Sequence, residues 1–369
     1  MGWIEVVLGG ALVLIMAWEA FETIVLPRTV SRKLRFTSLY FEAVWKLGSV
    51  LMRIVGNRAA LRESILGIVG PLTLIVLIAF WSSGIILGYA FIQYGLATPM
   101  TGGEHGLGIT LYVSAATFFT LGYGDVVALN AAGRVVSMVE AGTGFGMLAL
   151  VISYVPVLYQ AFSARERVSL LLDARAGSPP VAAELLETYG DDLDGLRELF
   201  AEFERWGATL LETYLSYPIL TMYRSQHEQL SWIASLTCIC DACAFVQVSY
   251  QDESREMSRL KRQAQLTYAM LRHLVVDVAY ILDEDPVEPP VPRMAPADWE
   301  VVSQRLRAKG APVCQEAMSC TTLATLREDY EPYVYGLSLG VFLTMPPWMR
   351  PEHQRASWET TAWDEEKHF

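Results

Sequence analysis

Three long apolar segments constrain the fold of this chain more than any other feature of its sequence. They run from Trp3 to Leu26, from Ile65 to Tyr94 and from Gly133 to Phe162. About 20 consecutive apolar residues are enough for an α-helix to cross the hydrocarbon core of a bilayer. Hydrophobic residues make up 53% of the chain, although 18% of its residues are charged. The pattern predicts an all-α membrane protein with three transmembrane helices and a substantial water-exposed part.

The basic residues predict how these helices are oriented. Residues 28–62 contain eight Lys and Arg residues and one acid, Glu42, whereas residues 63–133 contain no Lys or Arg. Because basic loops remain in the cytoplasm, residues 28–62 are predicted to lie inside and the N-terminus outside. The first segment lacks the basic start and the small-residue cleavage site of a secretory signal peptide. We therefore expect residues 1–27 to be an uncleaved anchor in the inner (plasma) membrane, with the C-terminus in the cytoplasm.

In residues 28–62, apolar and basic residues recur at helical spacing, most clearly from Arg35 to Arg58. This spacing predicts an amphipathic helix on the inner membrane surface, in contact with membrane lipids. Two roles remain open for this helix. It could transmit movement of the water-exposed region to the second span, or it could be an inert anchor whose basic residues meet anionic lipid.

The segment between the second and third spans contains the sequence Thr120-Leu121-Gly122-Tyr123-Gly124-Asp125. An apolar stretch of helical length, from Gly108 to Phe119, precedes it. Glycine adopts left-handed dihedrals without a clash at Cβ, so Gly122 and Gly124 allow successive carbonyl groups to point the same way. Non-helical backbone at membrane depth is tolerated only where it is buried in protein or lines a water-filled cavity. We interpret the region as a re-entrant helix followed by a carbonyl-lined loop, rather than as an external glycine-containing loop.

Residues 63–162 resemble the pore module of bacterial two-span potassium channels, whose selectivity filter has the pattern Thr-x-x-Thr-x-Gly-Tyr-Gly-Asp. The resemblance implies a K⁺-binding filter built from Thr120, Leu121, Gly122, Tyr123 and Gly124. It also implies a negative charge from Asp125 at the outer mouth. Leu121 departs from the Val or Ile of most filters, and Phe118-Phe119 replace small residues or Thr. The resemblance implies that the permeant ion, K⁺, is bound by oxygens of the first four filter residues. No cofactor is expected.

The chain contains a single segment of this kind and no internal repeat of the module. A K⁺ site requires oxygens that converge from four sides. The resemblance therefore implies a homotetramer around a cyclic axis.

The third span contains three glycines at alternate positions, Gly142, Gly144 and Gly146, and Pro156 near its inner end. Proline removes a backbone donor and favours a kink, whereas glycine is compatible with either a hinge or close helix packing. Glu140 is an ionisable residue inside the span, which makes it a functional candidate. It could support the filter from behind or face the cavity. Gly144, Pro156 and Glu140 are therefore the gating candidates.

The water-exposed region begins near Ser163 and has a different composition. Residues 163–369 contain 19 basic and 32 acidic residues, a net charge of −13, so we expect no nucleic-acid partner. Helix-like apolar spacing recurs along this region, with Pro/Asp/Glu-rich breaks. The segments with that spacing are Leu185–Leu215, Tyr217–Tyr250, Glu253–Leu282 and Ala297–Arg327. These features predict a helical cytoplasmic domain.

The five cysteines all lie in this region, at positions 238, 240, 243, 314 and 320. On a helix Cys240 and Cys243 share a face and Cys238 points away, and no second Cys-x-x-Cys pair completes a tetrahedral set. We expect small apolar packing rather than a zinc site. No glycine-rich nucleotide motif follows Phe162, and no catalytic elbow is recognisable. An enzyme is therefore not expected.

Taken together, these features predict three transmembrane helices, a re-entrant pore helix with its filter, and a helical cytoplasmic domain. The predicted boundaries are 1–27 for the anchor, 28–62 for the basic segment, 63–162 for the pore module, 163–345 for the cytoplasmic domain and 346–369 for a flexible tail. The resemblance implies a potassium-selective channel gated by the cytoplasmic domain. A non-selective cation channel and a non-conducting receptor or scaffold remain the alternatives.

Overall fold

The apolar segments form long helices in the computed structural model of the chain. Helix α1 spans Trp3–Ile24, α2 spans Ala59–Gly95, α3 spans Leu107–Phe118 and α4 spans Ala131–Ala176. The structure describes residues 2–26, 59–103, 106–225, 230–314 and 318–350. The basic segment predicted at 28–62 lies almost entirely outside these ranges. No β-strand occurs within them, which confirms the all-α prediction.

The chain divides into two compact units, Met1–Tyr159 and Gln160–Phe369. In the first unit, α1 and α2 approach closely because glycines face each other. A Cβ atom on Gly9 would lie 2.4 Å from the carbonyl oxygen of Gly88, and one on Gly88 would lie 2.8 Å from that of Gly9. Small residues allow such backbone contact between membrane helices. The amide of Gly2 also donates to the carbonyl of Gly95, at 2.8 Å, so the pair is tied at its end.

Trp81 of α2 belongs to the apolar core of the first unit and is 1% exposed. The same cluster contains Met16 of α1, Phe118 of α3 and Met147 of α4. The end of the short helix α3 is therefore held by the same cluster that joins the long helices. Burial of a large aromatic side chain contributes strongly to such packing.

The second unit contains the last part of α4 and seven further helices among the described residues. Helix α5 spans Ala182–Tyr189, α6 spans Leu193–Ser216, α7 spans Trp232–Ser249, α8 spans Arg255–Leu282, α9 spans Pro296–Ala308, α10 spans Met318–Glu328 and α11 spans Glu331–Gly340, with a 3-10 turn at Pro218–Met222. Helices α5, α6, α8, α10 and α11 all pack against α7. Several of these helices begin at polar caps: the side chains of Asp192, Ser231 and Ser254 each accept a backbone amide of the first turn.

Helix α7 is long and apolar enough to cross a membrane, as are α1, α2 and α4 among the described helices. Burial separates α7 from the others. Its most apolar window is 89% buried inside the structure, whereas the corresponding windows of α1, α2 and α4 are 22%, 33% and 17% buried. The neighbouring helices of the second unit therefore account for the apolar character of α7. The remaining three match the predicted spans.

Arg165 is a buried cation in the last part of α4, with 4% of its surface exposed. Its guanidinium donates to the carbonyl oxygens of Leu220 and Tyr223, at 2.9 and 2.8 Å, and to the hydroxyl of Tyr214, at 3.2 Å. It also lies 4.9 Å from the centre of the Phe162 ring. Planar guanidinium groups suit such multiple hydrogen bonding. Arg165 thus joins the end of α4 to α6 and to the 3-10 turn.

A second buried charge cluster fixes the C-terminal part of the second unit. Arg293 forms ion pairs with Asp241, at 2.7 Å, and with Glu331, at 2.8 Å. Tyr330 donates to Asp241, and burial beside these carboxylates keeps the pKa of that phenol well above its usual range. Burial opposes the charged form of Arg293, but the pKa of its guanidinium is raised because Asp241 stabilises the cation.

Substitution of Asp241 by alanine is expected to destabilise the second unit by about 3–5 kcal/mol, because Arg293 would lose one of its two buried carboxylate partners and Tyr330 would lose its acceptor. Chemical unfolding of the detergent-solubilised protein, followed by tryptophan fluorescence, measures this change. The control is Asp194→Ala, which breaks a partly exposed pair with Arg197 and is expected to cost less than about 1 kcal/mol. Equal effects of the two substitutions would contradict the prediction.

The first residues of the predicted tail, 346–350, pack into the second unit. Trp348 is 1% exposed, its carbonyl accepts the amide of Ala183 at 3.3 Å, and the carbonyl of Pro346 accepts two hydrogen bonds from Arg293. The predicted start of the flexible tail, residue 346, is therefore too early in the chain. The proline-rich composition of this segment does not reveal its long-range contacts. Residues 351–369 lie outside the described part of the chain.

Candidate functional site

The loop after α3 has an alternating backbone conformation. Thr120, Gly122 and Gly124 have φ values of 54°, 63° and 73°, whereas Leu121 and Tyr123 are not among the positive-φ residues. Left-handed and other dihedrals therefore alternate over five residues, and an alternation of this kind allows successive carbonyl groups to point to one side. The conformation is easily adopted by glycine. It is costly for the β-branched Thr120, whose left-handed backbone was not expected from the residue type.

Helix α3 fixes the start of this loop. The amide of Thr120 donates to the carbonyl of Thr117, at 3.0 Å, and the amide of Leu121 donates to that of Ala116, at 2.8 Å. These bonds connect the loop directly to the C-terminal turn of α3. The C-terminal end of a helix carries a partial negative charge, which favours a nearby cation.

Asp125 closes the other end of the loop. The hydroxyl of Tyr112, on α3, donates to one carboxylate oxygen of Asp125 at 2.8 Å, and the amide of Val126 donates to the other at 2.9 Å. These hydrogen bonds, chiefly the one from Tyr112, lower the pKa of Asp125. The carboxylate is therefore present at neutral pH and is lost only as the pH falls below the usual range for aspartate.

The backbone segment after Asp125 forms hydrogen bonds with the loop that precedes α3. Leu129 donates its amide to the carbonyl of Pro99, at 2.9 Å, and Thr101 donates to that of Val127, at 3.1 Å. An isolated antiparallel bridge joins Met100 and Ala128. The glycine-containing loop is thus fixed at both ends by backbone hydrogen bonds.

Leu121 and Tyr123 are 53% and 68% exposed in the single chain. Exposed apolar side chains also occur along α4. They include Val135, Met138, Val139, Phe145, Leu148 and Ile152.

Glu140 lies against α3, is 0% exposed and is in hydrogen-bond contact with Ser114. The hydroxyl of Ser114 also donates to the carbonyl of Ile86 on α2, at 2.7 Å. The structure places Glu140 against α3, and its role in supporting the filter stays a prediction. Glu19 and Glu22 of α1 are also buried, and Trp18 donates to Glu22 at 2.7 Å.

The glycines of α4 have different surroundings. A Cβ atom on Gly144 would lie 2.1 Å from the carbonyl oxygen of Phe118, so this glycine allows α4 to touch the end of α3. Cβ atoms on Gly142 or Gly146 would meet nothing within 4 Å in the chain. Pro156 lies inside α4, which continues past it to Ala176.

The cysteines of α7, at positions 238, 240 and 243, are completely buried. Cys314 is 8% exposed, and the side chain of Cys320 lies outside the described part. Among the described residues, no group of three or more His, Cys, Asp or Glu side chains is arranged to hold a metal ion. Small apolar packing of these thiols stays a prediction.

Comparison with known proteins agrees with this geometry. Residues 73–160 match the sequence profile of a family described as "Ion channel". This range includes α3, the loop from Thr120 to Asp125 and the first part of α4, from Ala131 to residue 160. No curated protein and no solved structure matches the chain. The family match over residues 73–160 and the apolar helices together indicate an ion-channel module in a multi-pass membrane protein.

Proposed function

We propose that the chain is the subunit of a potassium-selective channel and that residues 120–124 are its selectivity filter. The observation that carries this proposal is the alternating left-handed backbone at Thr120, Gly122 and Gly124, at the C-terminal end of a short membrane helix. A row of carbonyl oxygens replaces the hydration shell of K⁺. Asp125 would raise the local concentration of cations at the outer mouth.

The proposed assembly is a homotetramer in the inner membrane, with the N-terminus outside and the C-terminus in the cytoplasm. One chain provides one filter segment, and a K⁺ site needs oxygens from four sides. The exposed side chains of Leu121 and Tyr123 and the exposed apolar side chains of α4 supply surface for a second copy and for lipid. Where exposed apolar side chains form a patch, the patch marks a protein or membrane contact.

Reconstitution in liposomes tests the proposal directly. K⁺-loaded vesicles that contain the purified protein are expected to show K⁺ flux, with a reversal potential that follows K⁺ and not Na⁺. Comparable K⁺ and Na⁺ permeability would indicate a non-selective cation channel. An absence of flux at every voltage, together with an intact folded tetramer, would indicate a receptor or scaffold. Mass measurement of the detergent-solubilised protein determines the number of copies.

We further propose that the cytoplasmic domain, residues 163–345, gates the pore through α4. Helix α4 is continuous from Ala131 to Ala176, and the boundary between the two units falls within it. A rearrangement in the second unit that moves the end of α4 would therefore act on the same helix that contains Gly144 and Pro156.

Arg165→Gln is expected to change the open probability by about fivefold or more, because it removes hydrogen bonds of a buried cation to α6 and the 3-10 turn. The K⁺/Na⁺ permeability ratio is expected to stay unchanged, because no filter residue is altered. Single-channel recording in planar bilayers measures both quantities. Arg167→Gln is the matched control, because Arg167 lies on the same helix and is exposed. An effect of similar size in the control would contradict the role of Arg165.

A further inference from the structure

The contacts of Ser114 bear on the protonation state of its neighbour Glu140. The Ser114 hydroxyl is 2.7 Å from the carbonyl oxygen of Ile86 and is also in hydrogen-bond contact with Glu140. A hydroxyl group has one proton to donate, and a backbone carbonyl can only accept. The single proton of Ser114 cannot serve both contacts, so when Ser114 donates to Ile86, the contact with Glu140 needs a proton from the carboxyl group.

We infer that Glu140 is a neutral carboxylic acid that donates its proton to the Ser114 hydroxyl, and that it positions the pore helix behind the filter. The resulting chain of hydrogen bonds runs from α4 through Ser114 of α3 to the carbonyl of Ile86 on α2. Three helices are thus joined at one point, six residues before the start of the filter at Thr120.

The surroundings of Glu140 agree with a neutral acid. Its side chain is 0% exposed, and its second oxygen, Oε2, has no hydrogen-bond partner within the described part of the chain. An ionised carboxylate with an unpaired oxygen is very costly to bury, whereas a neutral carbonyl oxygen costs far less. The ion pairs found among the described residues do not include Glu140, and residues 63–133 contain no Lys or Arg.

Among the described polar contacts of α4, the contact of Glu140 is the one that reaches α3, whereas its polar neighbours contact α2. Thr143 contacts the hydroxyl of Tyr89 on α2, at 2.9 Å, and Ser137 accepts from Gln93 on α2, at 3.2 Å. Both contacts join α4 to α2 without α3. The contact of Glu140 with Ser114 is the polar side-chain link from α4 to the pore helix.

The first test is spectroscopic and does not depend on conduction. The infrared difference spectrum between the wild-type tetramer and Glu140→Gln, in lipid at neutral pH, is expected to contain the carbonyl stretch of a protonated carboxylic acid. This band is expected to shift in Ser114→Ala, because its hydrogen-bond acceptor is removed. A difference spectrum that contains only carboxylate bands would overturn the inference, whatever the channel conducts.

The second test measures positioning and rests on the proposed potassium filter. Glu140→Gln is expected to keep the K⁺/Na⁺ permeability ratio, because the amide N–H can donate to Ser114 as the acid does. Glu140→Ala is expected to lower the ratio by about tenfold, because Ser114 loses a buried partner. Thr143→Ala, which breaks only a contact between α4 and α2, is the control and is expected to have little effect.

The outcomes of the second test distinguish the two proposals. Equal loss of selectivity in Glu140→Gln and Glu140→Ala would overturn the neutral-donor role, because the amide would then fail to replace the acid. Retained selectivity in Glu140→Ala would overturn the positioning role. If the wild-type protein itself does not discriminate K⁺ from Na⁺, the proposed function fails, and the infrared result still decides the protonation state of Glu140.

Discussion

Substitution of Gly122 by alanine is expected to reduce K⁺ flux by at least about a hundredfold. The reason is the backbone and not the space around it, because a Cβ atom on Gly122 meets nothing within 4 Å and its φ is +63°. A non-glycine residue in the left-handed region costs about 1–2 kcal/mol, and a tetramer would contain this cost four times. We expect the filter to leave the conformation that aligns its carbonyl groups. Flux from K⁺-loaded vesicles measures the effect.

Gly102→Ala is the matched control for this prediction. Gly102 also has a positive φ, +88°, and also has open space around its Cβ position, but it lies in the loop before α3. The substitution imposes the same kind of backbone cost outside the filter and is expected to leave K⁺ flux within about twofold of the wild type. If both substitutions abolish flux equally, general destabilisation and not the filter explains the loss.

Gly144→Ala is expected to prevent the pore region from reaching its folded arrangement. The added Cβ atom would lie 2.1 Å from the carbonyl oxygen of Phe118 and 2.9 Å from its carbonyl carbon. Backbone atoms cannot move aside as a flexible side chain can, so α4 must separate from the end of α3. Overpacking of this kind costs about 1–3 kcal/mol or more per site. We expect loss of K⁺ flux and a lower midpoint of thermal unfolding for the detergent-solubilised protein.

The substitutions Gly142→Ala and Gly146→Ala test whether the glycines of α4 serve close helix packing or helix bending. Both positions have open space around Cβ, and alanine is the better helix former by about 1 kcal/mol. If the glycines of α4 serve only as a flexible hinge, all three substitutions should impair gating to a similar degree. If close contact decides, only Gly144→Ala should have a large effect. We expect the second result, because Gly144 alone among the three touches the backbone of α3.

The regions with a simple local physical constraint were predicted well from the sequence. The spans follow from the length of apolar segments relative to the bilayer, and the predicted ends of the second span, Ile65 and Tyr94, both lie within α2. The pore helix was predicted at Gly108–Phe119 and is observed at Leu107–Phe118. Repeated glycine predicted left-handed backbone, although Thr120 shares that conformation and its residue type gives no such signal.

The second unit was predicted less precisely. Tyr217–Tyr250 has helical spacing, but the structure divides it into a 3-10 turn at Pro218–Met222 and helix α7 from Trp232. Proline at the first position and the cap at Ser231 are local signals that were available in the sequence. The burial of α7 was not, because a central helix of a globular unit and a membrane span have the same apolar composition. Only the helices packed around α7 distinguish them.

By itself, the sequence determined the all-α class of the protein, its three apolar spans and the position of the glycine-containing loop, because bilayer thickness and the dihedral freedom of glycine act on consecutive residues. The tertiary structure decided which side chains meet. It brought Glu140 to Ser114 and Gly144 to the carbonyl of Phe118. It also buried Trp348 in the second unit, although the composition of residues 346–369 predicted a flexible tail. These contacts join residues that are far apart in the chain, and their distances depend on how whole helices pack, which no local pattern encodes.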